Sequence, residues 1–469
     1  MKIQLSNRTQ LILFLFVVGL MVFKPSPGML LGGGVVSLII ILVELIAGLV
    51  LVLYLFNQNQ YPNTLGDIIK DNKRDYVTIF ILFTMMSLVV SNTWGILKSP
   101  QSSSFVDYFE MYRFLMYLVF YYVAKYVTIS GLKKLLKPTF IMIIIVELIA
   151  VLQLFNIFNF NNHIGLLFIL NERHYDMILK IHRVPSTFFN PNLYGTFLVL
   201  SAALVLGYIS FKGKFSWKSI FLLLTIFISV YLTTSRTAVL TITGITGYWI
   251  IINSFFIMKF SIKRFISSLL VLVVFLLVGS LLIPQIPYLD YASKQIAMDH
   301  EVVDVPRDST TGELEEDENN NENENESGLA IRKLFKKLES VSSFQKRFEF
   351  WEMNLEKFLE SPIVGNGLME NNFITFADNQ YLYILARYGL LGFLIYGIFY
   401  IGSFFKTLFM LKKDLSKDKK SIALAINLSI AGFAFAGLTS EALFNLQTIT
   451  ILFVLFGLLN NKTLKGDIE

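Results

Sequence analysis

The chain has 469 residues, 54% of them hydrophobic and only 16% charged, with 44 phenylalanines, a net charge of +6 and no cysteine. A water-soluble fold has too little interior to hide that apolar fraction, whereas about ten to twelve membrane helices plus one sizeable loop fit the length. The missing cysteines exclude disulfides, thiolate metal sites and cysteine nucleophiles, and the basic residues sit in short inter-helix loops, so topology rather than nucleic-acid binding accounts for them.

At the N-terminus, Lys2 and Arg8 precede the apolar run Leu11 to Phe23. No small-residue cleavage site follows it, so it reads as an uncleaved first helix. Apolar runs against charged breaks predict spans near 10–26, 29–56, 76–97, 108–128, 138–158, 191–211, 217–233, 237–258, 265–285, 380–405, 421–439 and 442–460. With the N-terminus inside, basic residues favour the inner segments by roughly four to one. Both termini are then expected in the cytoplasm, with segments 159–190 and 286–379 facing outward.

The expected fold class is an all-α polytopic membrane protein of about twelve transmembrane helices with a large extracytoplasmic loop carrying amphipathic helices. Helices one to nine occupy 1–285, the loop 286–379, and the last three helices 380–469. Within the loop, 300–327 is rich in Glu, Asp and Asn and cannot form a core, so it is expected to be disordered. Over 328–361, Ile331, Leu334, Leu338, Phe344, Phe348, Trp351, Leu355 and Phe358 recur at helical spacing with basic residues between them, the pattern of an amphipathic helix. Pro362, Gly365 and Gly367 end it.

Arginine is always charged and costly to bury near a membrane, so several of them at outer ends of spans point to an anionic ligand. Arg183 stands in RVPSTFFNPNLYG, Arg236 in TTSRTAVL and Arg347 in RFEFWEMNLEKFLESPIVGNG. A snorkelling or locally paired arginine is the bland alternative for each. His163, His174, His182 and His300 all fall in outer segments.

Together these stretches resemble the O-antigen ligase and Wzy-type polysaccharide polymerase family, bacterial membrane glycosyltransferases of GT-C type. The resemblance rests on Arg183 with Asn190-Pro191-Asn192, Ser235-Arg236, Arg347 with Trp351, Pro362, Gly365 and Gly367, then Asp378-Asn379-Gln380 and Gly389-Leu390-Leu391-Gly392. It covers roughly residues 180 to 400. Where the family has histidine before asparagine, this chain has Asp378, a carboxylate that can still serve as a base.

The resemblance implies inverting glycosyl transfer, in which a hydroxyl attacks the anomeric carbon of a glycan carried on undecaprenyl diphosphate. The departing diphosphate needs fixed cationic donors. Arg236 and Arg347 are assigned to it, with Arg183 as a third contact and Asp378 as base. Asn190, Asn192 and Asn379 are expected around the substrate, and Glu349 and Glu370 as substitute carboxylates. No metal and no cofactor are expected. The partners expected are the carrier-linked oligosaccharide, the bilayer and other polysaccharide-assembly membrane proteins. The primary expectation is a repeat-unit polymerase. The alternatives are a ligase delivering finished glycan to another acceptor, and a transporter or flippase, to which Glu44, Arg113, Glu147 and Arg387 within spans would be relevant.

Overall fold

A computed structural model describes residues 6–28, 34–57, 75–101, 103–129, 131–188, 190–212, 216–257, 261–285, 342–368 and 377–464. Among these residues the chain is helical with short 3-10 turns and no strand. The acidic stretch 300–327, the first part of the amphipathic stretch (328–341) and Glu370 lie outside the described residues.

In chain order, the apolar helices are α1 (Asn7–Val22), α2 (Gly34–Asn57), α3 (Tyr76–Lys98), α4 (Met111–Tyr126) and α5 (Lys133–Phe155). A short amphipathic α6 (Glu172–Ile181) intervenes before α7 (Pro191–Lys212), α8 (Trp217–Leu232), α9 (Arg236–Ile251) and α10 (Ile262–Leu282). The amphipathic α11 (Ser342–Glu360) then precedes α12 (Gln380–Met410), α13 (Lys417–Ala436) and α14 (Leu446–Leu459). Among the described residues seven helices are long and apolar enough to cross a membrane, and four more are apolar but shorter. With α4 these match the twelve spans read from the sequence: an all-α polytopic membrane protein. The sequence reading did not mark α6, because its ten residues carry a polar face and too few apolar positions to resemble a span.

Helices α7 and α13 form the centre, where Ala202 and Ala203 of one and Ala423 and Ala425 of the other are fully buried. Small side chains let two backbones approach closely where lipid supplies no hydrophobic drive between helices. Helix α14 packs on α4, with the Tyr117 and Phe453 rings stacked at 4.8 Å. At one end of the bundle Asp75 caps α3, and Lys125 Nζ reaches its Oδ2 at 2.6 Å while the Tyr121 hydroxyl donates to the same oxygen.

At the other end α12 is interrupted. Gly389 takes φ 63° and ψ −167°, a conformation essentially restricted to glycine. The freed backbone groups are bonded by the stretch after α11. Asn366 and Gly367 N–H donate to the Ala386 and Arg387 carbonyls at 3.1 and 3.0 Å, and Leu390 and Leu391 N–H donate to the Pro362 and Ile363 carbonyls at 2.8 and 3.0 Å. A Cβ on Gly389 would lie 2.4 Å from the Ile363 carbonyl oxygen, and one on Gly365 2.2 Å from that of Arg387. The glycines of the PIVGNG and YGLLG stretches are thus there for two backbones to interlock, which fixes α11 against α12.

Candidate functional site

Each arginine singled out in the sequence is aimed by a local chain stop. Helix α6 ends when His182 turns left-handed at φ 54°, and the Arg183 N–H returns to the Met177 carbonyl at 3.1 Å. The Arg183 side chain then reaches the turn before α9. Its Nε donates to Thr234 Oγ1 at 2.8 Å and its Nη2 to Asn192 Oδ1 at 3.4 Å. Thr234 is left-handed as well, at φ 54°. Ser235 caps α9 by accepting from the Ala238 N–H at 3.3 Å, so Arg236 occupies the first position of that helix.

Arg347 projects from α11 and its Nε lies 3.5 Å from Asp378 Oδ2, the two side chains being 24% and 37% exposed. Asp378 holds φ 46°. Its N–H and that of Ala377 both donate to Glu441 Oε1, at 2.9 and 2.6 Å. Asn379 caps α12, its Oδ1 accepting from the Tyr381 and Leu382 N–H groups at 2.9 and 3.1 Å.

These segments form one hydrogen-bonded seam. The Thr237 and Thr439 hydroxyls meet at 2.7 Å, the Gln380 N–H donates to the Gly437 carbonyl at 2.9 Å, and Glu441 closes the path to Asp378 and Arg347. Asn445 caps α14 and donates to Leu193 O and Thr196 Oγ1 at 3.1 and 2.8 Å, joining α7. Asn190 opens α7 by accepting from the Asn192 N–H at 2.8 Å. The N-termini of α7, α9, α12 and α14 therefore all end on this seam. Each carries a partial positive charge from its helix dipole, so the seam lies in a field that favours an anion.

A chain of hydrogen bonds thus links the segments that carry Arg183, Arg236, Arg347, Asp378, Asn190, Asn192 and Asn379. Glu349 does not join: it is exposed on α11, about 200° around the helix from Arg347, whereas Asn354, seven residues on, shares the Arg347 face. Two features escaped the sequence reading. Glu441 reads in the sequence only as part of a tight turn between two spans, although a carboxylate at a predicted outer turn is a usable signal. Arg387 reads in the sequence only as a charge within a span. Its guanidinium stacks 3.8 Å from the centre of the Tyr383 ring and contacts Asn354 Oδ1 at 3.5 Å. Arg113 likewise pairs with Glu110 at 2.5 Å and donates to the Phe444 carbonyl, and Glu44 lies 3.9 Å from Lys24. Arg113 and Glu44 have these local partners, while the charge of Arg387 also acts on Glu441 in the seam and lowers its carboxyl against the burial that raises it.

Burial raises the Glu441 carboxyl above its ordinary 4.5 and the charge of Asp378 adds to the rise, while the backbone bonds from Ala377 and Asp378 oppose it. The arrangement places guanidinium groups, helix N-termini and two carboxylates along one seam, the residue types that anion binding and proton acceptance require. A search among curated proteins returns no match. Residues 221–397, which include Arg236, Arg347, Asp378 and Asn379 but neither Arg183 nor Glu441, match the family model described as O-antigen ligase.

Proposed function

We propose that the chain transfers glycan from a lipid diphosphate carrier to an acceptor hydroxyl, with inversion, at the seam of Arg183, Arg236, Arg347, Asp378 and Glu441. The observation that supports this reading is that arginines from three separate segments lie along one hydrogen-bonded seam with four helix N-termini, a setting that suits a departing diphosphate. In the reaction the acceptor oxygen bonds to the anomeric carbon, the bond from that carbon to the phosphate oxygen breaks, and the hydroxyl proton passes to Asp378. Guanidinium forks and N–H groups neutralise the diphosphate as its charge grows. The resting Arg347–Asp378 pair fits this sequence of events: a diphosphate at Arg347 competes with the Asp378 carboxylate and frees it to act as base. On this reading the seam faces the outside of the cell membrane and the termini face the cytoplasm, as the distribution of basic residues favours.

Two versions of the activity differ in the acceptor. A carboxylate at position 378 in place of the family's histidine favours the repeat-unit polymerase, whereas the matching family description favours a ligase. Inactivating the protein in its host and sizing the carrier-linked glycans separates them. Single repeat units accumulate if it is a polymerase, and long undelivered chains accumulate if it is a ligase. Normal glycans at both stages would refute both.

A further inference from the structure

An open cavity of about 530 Å³ lies between the first turns of α5 and α8. That is the end of both helices remote from the seam. At its far end α5 holds the segment behind Arg183, Gln153 accepting from the Ser186 N–H at 2.8 Å and donating to the Ser186 carbonyl at 3.1 Å, and α8 ends just before Thr234, which accepts from Arg183. The rim of the cavity carries Lys137, Trp217 and Lys218, and its walls are apolar, with Phe140, Ile144 and Phe221 among them. Ser216, also on the rim, is spent on starting α8, accepting from the Ser219 N–H at 3.3 Å. Both lysines are exposed, and neither has a carboxylate partner among the described residues. The sequence offers little to match them: no residue between Asp176 and Asp290 is acidic, and the single acid of α5 is Glu147, about 15 Å along the axis from Lys137. Trp217 is 71% exposed, with Lys218 Nζ 5.9 Å from its ring, an amphipathic side chain of the kind that sits at headgroup level.

We propose that this groove binds an acidic glycerophospholipid, its phosphate between Lys137 and Lys218 and an acyl chain along the apolar walls. The inference is independent of the chemistry proposed for the seam. A free anion would meet the lysines but leave the apolar walls wet. A zwitterionic lipid would cover the walls but bring its own cation against two others. An acidic lipid satisfies both the charge and the apolar surface. Bound there, it ties together the feet of the two helices whose other ends hold Ser186 and Arg183.

Trp217 supplies the reporter. The full chain is placed in phosphatidylcholine nanodiscs containing brominated phosphatidylglycerol or, separately, brominated phosphatidylcholine, and the quenching that disappears in Trp217→Phe isolates the lipid at the groove. Phosphatidylglycerol should quench this component at a mole fraction about tenfold lower than phosphatidylcholine, or lower still. Lys137→Gln and Lys218→Gln should each reduce the preference about fivefold and together abolish it, while arginine at both positions keeps it. Lys263→Gln, exposed on α10 outside the groove, should leave it unchanged. Equal quenching by the two lipids in the parent overturns the proposal. So does a loss in Lys263→Gln as large as in Lys137→Gln, which would make the attraction a diffuse one, or displacement of phosphatidylglycerol by inorganic phosphate at constant ionic strength, which would make the ligand a free anion. If Trp217→Phe does not fold, native mass spectrometry decides: the parent should retain phosphatidylglycerol through delipidation and the double glutamine variant lose it, and equal retention refutes the site.

Discussion

Two ion pairs at opposite ends of the bundle show how the same chemistry serves different ends. Lys125 and Asp75 meet at 2.6 Å with side chains only 10% and 6% exposed, and the Tyr121 hydroxyl and the Val77 N–H complete the carboxylate's contacts. Arg347 and Asp378 sit 3.5 Å apart, at 24% and 37% exposure. The first pair is closed: water and ligands cannot replace either partner, so the charges can only hold α3 against α4. The second is open and long, and a competing anion loses little by displacing it. A tight buried pair is architecture, whereas a loose half-exposed pair next to helix N-termini suits the exchange of partners that the proposed function requires.

The sharpest way to break this contrast is to remove one cation from each. Lys125→Met should destabilise the fold by about 3–5 kcal/mol by stranding a buried carboxylate, whereas Arg347→Met should cost no more than about 1 kcal/mol. Chemical unfolding in detergent measures both, and equal losses would erase the distinction. Activity should respond the other way. Arg236→Lys and Arg347→Lys keep the charge but not the planar fork, and each should slow glycan transfer by about a hundredfold, roughly 2.7 kcal/mol of transition-state stabilisation. Parent-level turnover in both variants at normal abundance would remove the arginines from the chemistry. A third substitution probes the scaffold between them. Gly389→Ala forces a Cβ against the Ile363 carbonyl at a φ of 63° and should cost about 1–3 kcal/mol or more, seen as loss of protection of the 362–367 backbone in hydrogen exchange.

The bundle was legible because a membrane helix announces itself by twenty apolar residues, whatever its neighbours are. The arginines were legible because charges at span ends are rare enough to be noticed. What escaped was the division of labour inside one stretch. Arg347, Gly365 and Gly389 stand in the sequence as parts of one signature, yet Arg347 faces the seam while the glycines hold two backbones together. Nothing in one-dimensional spacing distinguishes a glycine kept for close approach from one kept for a ligand. Glu441 was hidden for another reason. Its partners are the N–H groups of Ala377 and Asp378, more than sixty residues earlier, and a bond to backbone leaves no mark on the partner's identity.

Glu441 also gives the most specific expected effect. Its one oxygen receives both N–H groups that keep Asp378 left-handed, so Glu441→Ala should cost about 1–3 kcal/mol by leaving them unpaired. Glu441→Gln retains an acceptor oxygen and should keep the turn. The two differ from the parent in pH dependence. Because burial raises the carboxyl above its ordinary 4.5 in the folded chain, the folded state binds this proton more tightly than the unfolded state. The stability it contributes is complete below about 4.5 and is lost as pH rises through the folded value. The parent's thermal midpoint should therefore fall across that rise, and in Glu441→Gln the slope should flatten, leaving the variant equal to the parent in acid and more stable above. If Glu441→Gln keeps the parent's slope, another group titrates there, and the closed margin of the seam owes nothing to the proton on Glu441.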